Sequence, residues 1–314
     1  MSDRQSASDG APTARARELV RGGYDMHVHI APDVVERKIS DVALAERCAE
    51  LGLAGFQLKS HYTSTAERAR AVSEASGGAV RVIGAITLNR AVGGLNPLAV
   101  EIAAREGART VWFPTVNSVN EQHEVHPAPP GAKLPVWVKF ELELREAGHE
   151  VEPVAVVGAE GELVDEARAV LEVIARHRMV LATGHLSRDE IFTLVDGAFA
   201  AGVRDVVVTH PEFPSQSISI ADQIALAERG ALLERCFTTP HTGKVSWDLV
   251  CEASREVGPQ STVFSSDLGQ VFNPPVEDGL ALMADRFLEA GFSDDEVMTM
   301  AVTNTRRLAG EGVS

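Results

Sequence analysis

Two histidines one residue apart, in Asp25-Met26-His27-Val28-His29, are the first residues in the chain whose types and spacing suggest chemistry. They close a run read as a strand, Tyr24–His29, and alternation along a strand sends residues i and i+2 to the same face. Two imidazoles on one face at a strand end can bind one divalent cation, a pairing that packing does not explain. An H-x-H is common when taken alone. Further candidate ligands follow other extended runs: His185 in VLATGHLS, His210 in VVVTHPEF and Asp267 in VFSSDLGQ. Each has a plainer reading by itself, a hydrogen-bonded loop histidine or an aspartate helix cap. Their shared position at the ends of such runs points to one common cause.

The elements that must position these residues alternate between short extended runs and longer helical stretches, the pattern of parallel βαβ units. Eight extended runs are expected: Tyr24–His29, Ala54–Lys59, Val80–Thr87, Ala108–Phe113, Met179–Thr183, Arg204–Thr209, Ala231–Phe237 and Thr262–Ser265. Between them, stretches such as DVALAERCAEL, LVDEARAVLEVIARH and WDLVCEASREV repeat apolar residues at helical spacing. Ser64 with Glu67, Ser187 with Glu190 and Ser293 with Glu296 have capping-box spacing, and Asn96-Pro97 supplies a cap and a first-turn proline. Eight such units without internal repeats predict an α/β fold, a (β/α)8 TIM barrel with an insertion after strand 4. The rival, an open doubly wound sheet, lacks a G-x-G-x-x-G after any strand. The candidate ligands then fall at the C-terminal strand ends, where barrels carry their chemistry.

The expected organisation is a disordered tail over 1–20 and a barrel over 21–314, interrupted by 116–161, too long for an ordinary connection. That insertion contains HEVHPAPPGAKLP, a stretch from Val136 to Gly148 with helical character, and EPVAVVGAEGELV, which reads as a hairpin; it is expected to be a lid or a subunit contact. A net charge of −16 argues against nucleic acid and anionic membrane as partners, and no apolar run resembles a signal core or a membrane span. Cys48, Cys236 and Cys251 lack paired spacing, so they read as small core residues of a cytoplasmic protein, with Cys236 near enough to a strand end to face the site.

Strand-one H-x-H, strand-five His, strand-six His and strand-eight Asp together resemble the amidohydrolase superfamily signature. The resemblance runs from about Tyr24 to Leu308 and includes the tail FSDDEVMTMAVTNTRRLAG. It implies that His27 and His29 bind a first metal, that His185 and His210 bind a second or assist the first, and that Asp267 is ligand and proton acceptor; His210 would share the catalytic work. One departure stands out. Many binuclear members bridge their metals with a carboxylated lysine or a glutamate at the end of strand four, and here that strand ends Trp112-Phe113-Pro114-Thr115. Lys59, at the end of strand two, is the one lysine ending a strand. It is read as a carbamate bridging two cations, as an ammonium holding an anionic substrate group, or as a solvated lysine. His61, Asn89 and Arg90 are candidate substrate contacts, His123 and His126 sit in the insertion, His149 and His177 have no distinguishing placement, and His241 follows strand seven.

Imidazoles with a carboxylate suit Zn2+, with Mn2+ or Fe2+ also accommodated, at one or two per chain. The reaction implied is hydrolysis of a C–N bond in an amide, cyclic amide or amidine, or of a lactone or ester, in a small-molecule substrate. The alternatives are metal-dependent non-oxidative decarboxylation on the same scaffold, a phosphoesterase, which lacks the Arg and Lys of a phosphate cradle, and a non-catalytic metal-binding barrel. A homo-oligomer is compatible with a lid insertion.

Overall fold

A computed structural model describes residues 10–122, 136–149 and 151–311. Eight strands form one sheet in chain order: β1 (Tyr24–Val28), β2 (Gly55–Leu58), β3 (Arg81–Thr87), β4 (Ala108–Trp112), β5 (Val180–Ala182), β6 (Asp205–Val208), β7 (Leu232–Cys236) and β8 (Thr262–Ser265). Neighbours pair in parallel, as in Val180 beside Asp205 and Val207 beside Leu232. The chain after β8 returns to β1, where the Asp267 N–H donates to His27 O and the His29 N–H to Leu268 O, both at 2.8 Å. The fold is therefore the expected (β/α)8 barrel. Each observed strand lies within its expected run, and nearly every strand residue is buried, which is why these strands read as continuous rather than alternating.

The chain divides into two compact units. One takes the chain up to Gln57, Val72–Val82 and everything from Arg235; the other takes Leu58–Ala71 and Ile83–Glu234. In the first unit, Phe264, Phe287 and Phe292 stack at 4.6 and 4.7 Å between ring centres, and Asn304 donates to Thr262 O (2.7 Å) and Pro259 O (2.9 Å) at the base of β8. Within the expected tail over 1–20, the described part contains a helix, Ala14–Leu19. It is too short to stand alone. It holds because Thr13 caps Ala16 N and bonds Asp285 through both N–H and Oγ1 (2.8 and 2.6 Å), while Arg15 pairs with Asp294 at 2.7 Å.

In the second unit, Asn96 accepts from Leu98 and Ala99 N–H at 3.1 Å, and Ser187 and Glu190 close a capping box, as Ser293 and Glu296 do in the first. Ser64 instead accepts from Ala66 N–H at 3.4 Å, and the helix begins at Ala66. The insertion after β4 opens with a 3-10 turn, Val119–Glu121, and contains the helix Val136–Glu146. It ends in a short turn where Val157 bridges Leu163. Val154 N–H donates to Asn117 O at 2.7 Å, which ties the far end of the insertion to its beginning.

Candidate functional site

In the first unit, strand geometry places His27 within β1 and His29 just past its end, both buried. Their Nε2 atoms each lie 3.3 Å from the same oxygen, Asp267 Oδ1. Asp267 stands two residues beyond β8 with φ at +52°, a left-handed conformation uncommon for residues with a side chain. Thr238 Oγ1 holds that bend by donating to Ser266 O and Asp267 O at 2.9 and 2.8 Å. Two residues on, Gly269 passes so close to β1 that a Cβ there would lie 1.4 Å from His29 O. Next to these side chains, Asp25 Oδ1 accepts from His27 N–H (3.2 Å) and Ser266 N–H (3.0 Å), joining β1 to the end of β8. Burial pushes the Asp25 carboxyl up to about 6, against those hydrogen bonds, which favour its charge. Cys236 Sγ lies 3.7 Å from His27 Nδ1.

Donor atoms of His27, His29 and Asp267 all fall within 4.8 Å of one another. Two imidazole nitrogens and a carboxylate oxygen turned toward one point suit a divalent cation, and three protein ligands are the number that catalytic zinc sites use while keeping a position open for water or substrate. The residues therefore fit the metal that the sequence pattern implies.

The second unit also brings histidines together. His185 and His210 have ring centres 4.9 Å apart, with His61 6.3 Å from His185. Phe213 packs against both, at 6.0 and 4.9 Å. His210 also has a left-handed φ, +26°, and its Nδ1 is 3.0 Å from Gln216 Oε1. His185 follows Gly184, where φ is +66° and a Cβ would lie 2.3 Å from Phe113 O, so only glycine lets the loop after β5 come this close to the chain after β4. Glu121 Oε1 stands 3.2 Å from His185 Nδ1, and Ser215 Oγ donates to the same oxygen. Burial opposes ionisation of Glu121, but His185, Ser215 and His210 outweigh it and hold the carboxyl below its usual range.

Other expected site residues divide clearly. Lys59 is 2% exposed, with Nζ 5.1 Å from the centre of the Trp112 ring, which removes the reading of a solvated lysine. His61 contacts Thr115 Oγ1 through Nδ1 at 2.9 Å. Asn89, a candidate substrate contact, is buried, and its amide is engaged by the protein: Nδ2 donates to Thr115 Oγ1 (2.7 Å) and His61 O (3.0 Å), while Oδ1 accepts from Thr115 and Asn117 N–H. Arg90 donates to Glu152 O and Pro153 O, both at 2.7 Å, and so braces the insertion. These contacts give Asn89 and Arg90 structural partners: Asn89 joins the chain after β2 to the chain after β4, and Arg90 holds the far end of the insertion. His177 pairs with Glu101 on the surface, His149 is exposed, and His241 stacks on Phe237. His123 and His126 lie outside the described residues. Cys48, Cys236 and Cys251 are buried free thiols. Asp25 and Glu121 were not singled out from the sequence; Asp25 adjoins the H-x-H, whereas Glu121 lies in an aperiodic stretch that carries no signal.

Solved structures with the same fold include an amidohydrolase from Pseudomonas aeruginosa, with TM-score 0.60 and 10% identity over 94% of this chain and 99% of that one. The probable dipeptidase PvdM from Pseudomonas aeruginosa aligns with TM-score 0.59 and 12% identity, over 94% and 97%. Dipeptidase AC, a metallopeptidase, aligns at 0.57 and 13%, over 92% and 98%. At these identities the likeness establishes the fold. No curated protein matches the chain in sequence. One family profile does match, over residues 22–234, and since this is more than half of its length the chain belongs to that family, described as a family of unknown function (DUF6282).

Proposed function

We propose that the chain is a metal-dependent hydrolase of the amidohydrolase type, activating water to cleave a C–N bond in an amide, cyclic amide or amidine, or a lactone or ester. The observation that carries the reading is the convergence of His27 Nε2 and His29 Nε2 on Asp267 Oδ1 at 3.3 Å, with Asp267 held in a strained bend to reach them. A bound divalent cation supplies Lewis acidity, which lowers the pKa of a water and polarises a substrate carbonyl. His27 and His29 would hold that cation through Nε2, beside the Asp267 carboxylate. Asp267, at the mouth with 15% of its side chain exposed, takes the proton from the attacking water and returns it to the leaving group. His185 and His210 are the further ligands that the resemblance implies. Zinc is the cation of choice for this donor set, with Mn2+ or Fe2+ as substitutes, at one or two per chain. The described residues contain no helix long and apolar enough to cross a membrane, and three free thiols accord with a reducing, cytoplasmic setting.

Metal analysis of the purified chain, followed by a panel of dipeptides, cyclic amides and lactones assayed with wild type and Asp267→Asn, tests the reading. A chain without metal, or turnover unaffected by the substitution, would remove Asp267 from its role. A second reading, non-oxidative decarboxylation, draws on the Lys59 seat over Trp112, since an aromatic face favours an ammonium. Carbon-13 bicarbonate labelling separates the two: a carbamate signal lost in Lys59→Ala supports a bridged hydrolytic centre, and its absence together with CO2 release supports decarboxylation.

A further inference from the structure

The 3-10 turn that opens the insertion grips one histidine from two sides. Ser118 Oγ and Asn120 Nδ2 donate to the backbone oxygen of His185 at 2.9 and 3.2 Å, while Glu121 from the same turn reaches the imidazole Nδ1 at 3.2 Å. Ser118 is fully buried, Asn120 is 7% exposed and the Glu121 side chain 8%. The turn is itself anchored: Asn120 Nδ2 also donates to Ser215 O at 2.7 Å, and Ser215 Oγ binds Glu121. Ordinary packing does not require a buried carboxylate beside a buried imidazole, and ionised groups removed from water are retained where something answers their charge. An imidazole whose Nδ1 side is occupied by a carboxylate presents Nε2 as its lone-pair donor, with raised basicity.

We propose that Glu121 is a positioning residue that fixes the tautomer and ring orientation of His185 so that Nε2 faces a divalent cation. The first part of the insertion is then a clamp on a ligand, built into the protein beside β4. The inference rests on the metal-dependent reading above and extends it to a residue outside the signature. Gln216 plays the corresponding part for His210 with a neutral amide, so Glu121 is the charged partner of the pair.

The test uses the full-length protein stripped of metal and titrated with Co2+ against a chromophoric chelator, with circular dichroism as the folding control. Glu121→Ala should weaken cobalt affinity by roughly 10–100-fold, the range for loss of an outer-shell partner, and Glu121→Gln, which keeps an acceptor but not the charge, by less. On a His185→Ala background, Glu121→Ala should add almost nothing, because the two act as one unit. Unchanged affinity in both Glu121 variants, or an equal loss with and without His185, would overturn the proposal. If Glu121→Ala does not fold, Glu121→Gln with and without His185 gives the same decision. Wild-type protein that binds no cobalt would instead refute the metal-dependent reading itself, so the two failures are distinguishable.

Discussion

Replacing Gly269 with alanine tests whether the closure of β8 onto β1 is what aims the ligands. Gly269 has φ at +136°, and a Cβ there would stand 1.4 Å from His29 O and 2.5 Å from the carbonyl carbon. Neither atom belongs to a flexible side chain, so backbone must move. Holding a non-glycine residue in that conformation costs about 1–3 kcal/mol. The displacement of packed backbone adds about 1–3 kcal/mol. Gly77 is the control, since its φ is +63° and a Cβ would meet nothing within 4 Å, leaving only the left-handed penalty of about 1–2 kcal/mol. Gly269→Ala should therefore lower the melting temperature by roughly 4–24 °C and Gly77→Ala by roughly 2–8 °C, using about 2–4 °C per kcal/mol for a chain of this order of size. Because the His29 carbonyl and imidazole share one residue, the same variant should also weaken cobalt binding, while Gly77→Ala should not. Equal melting temperatures for the two variants would refute the argument. So would a strongly destabilised Gly269→Ala that still binds cobalt with wild-type affinity, since the backbone contact would then have no bearing on the ring.

Two further predictions follow from the surroundings of the site. Burial pushes the Glu141 carboxyl up to about 7 from its ordinary 4.5, against the lowering effects of Arg145 and Asn117. The folded chain thus keeps a proton that the unfolded chain releases, and this contribution to stability is complete below about 4.5 and lost as pH rises through about 7. Glu141→Gln should flatten the fall in urea midpoint across that interval, and an unaltered pH profile would contradict the assignment. At the other end of the chain, Thr13→Ala removes both the cap on Ala16 N–H and the hydroxyl bond to Asp285, and should cost about 1–2 kcal/mol in denaturant titration without altering cobalt affinity.

The features legible in the sequence were those written in local pattern. Val206, Val207 and Val208 in β6 are buried in succession, so the strand is a solid apolar run, and the candidate ligand His210 follows it by two residues. The same logic located His27, His29 and Asp267 at strand ends, and the structure brings those three together. What was illegible depends on contacts between residues remote in the chain. Ala14–Leu19 shows no apolar period, because it is held by Asp285 and Asp294 near the other end of the sequence. Glu121 resembles any charged loop residue until its distance to His185 is known. Asn89 follows a strand, as a rim residue would, yet it is buried because Thr115 and Asn117 supply matching donors and the His61 carbonyl an acceptor.

Backbone strain supplies an independent argument about which residues matter. Among the described residues, four without glycine's freedom have a left-handed φ, Arg178, His210, Ser217 and Asp267, and two of these are ligands expected from the sequence alone. Glycine would adopt the Asp267 conformation without penalty, so the side chain must give something that outweighs about 1–2 kcal/mol of strain. Comparing two substitutions separates the strain from the function. Asp267→Ala discards the carboxylate and keeps the strain, whereas Asp267→Gly discards both. At an ordinary position alanine is the more stable of the two. Here the order should reverse by about 1 kcal/mol, with Asp267→Gly melting higher than Asp267→Ala, while both lose cobalt affinity to the same extent. If alanine proves the more stable, the bend at Asp267 is not strained and cannot count as evidence that its carboxylate is held in place for His27 and His29.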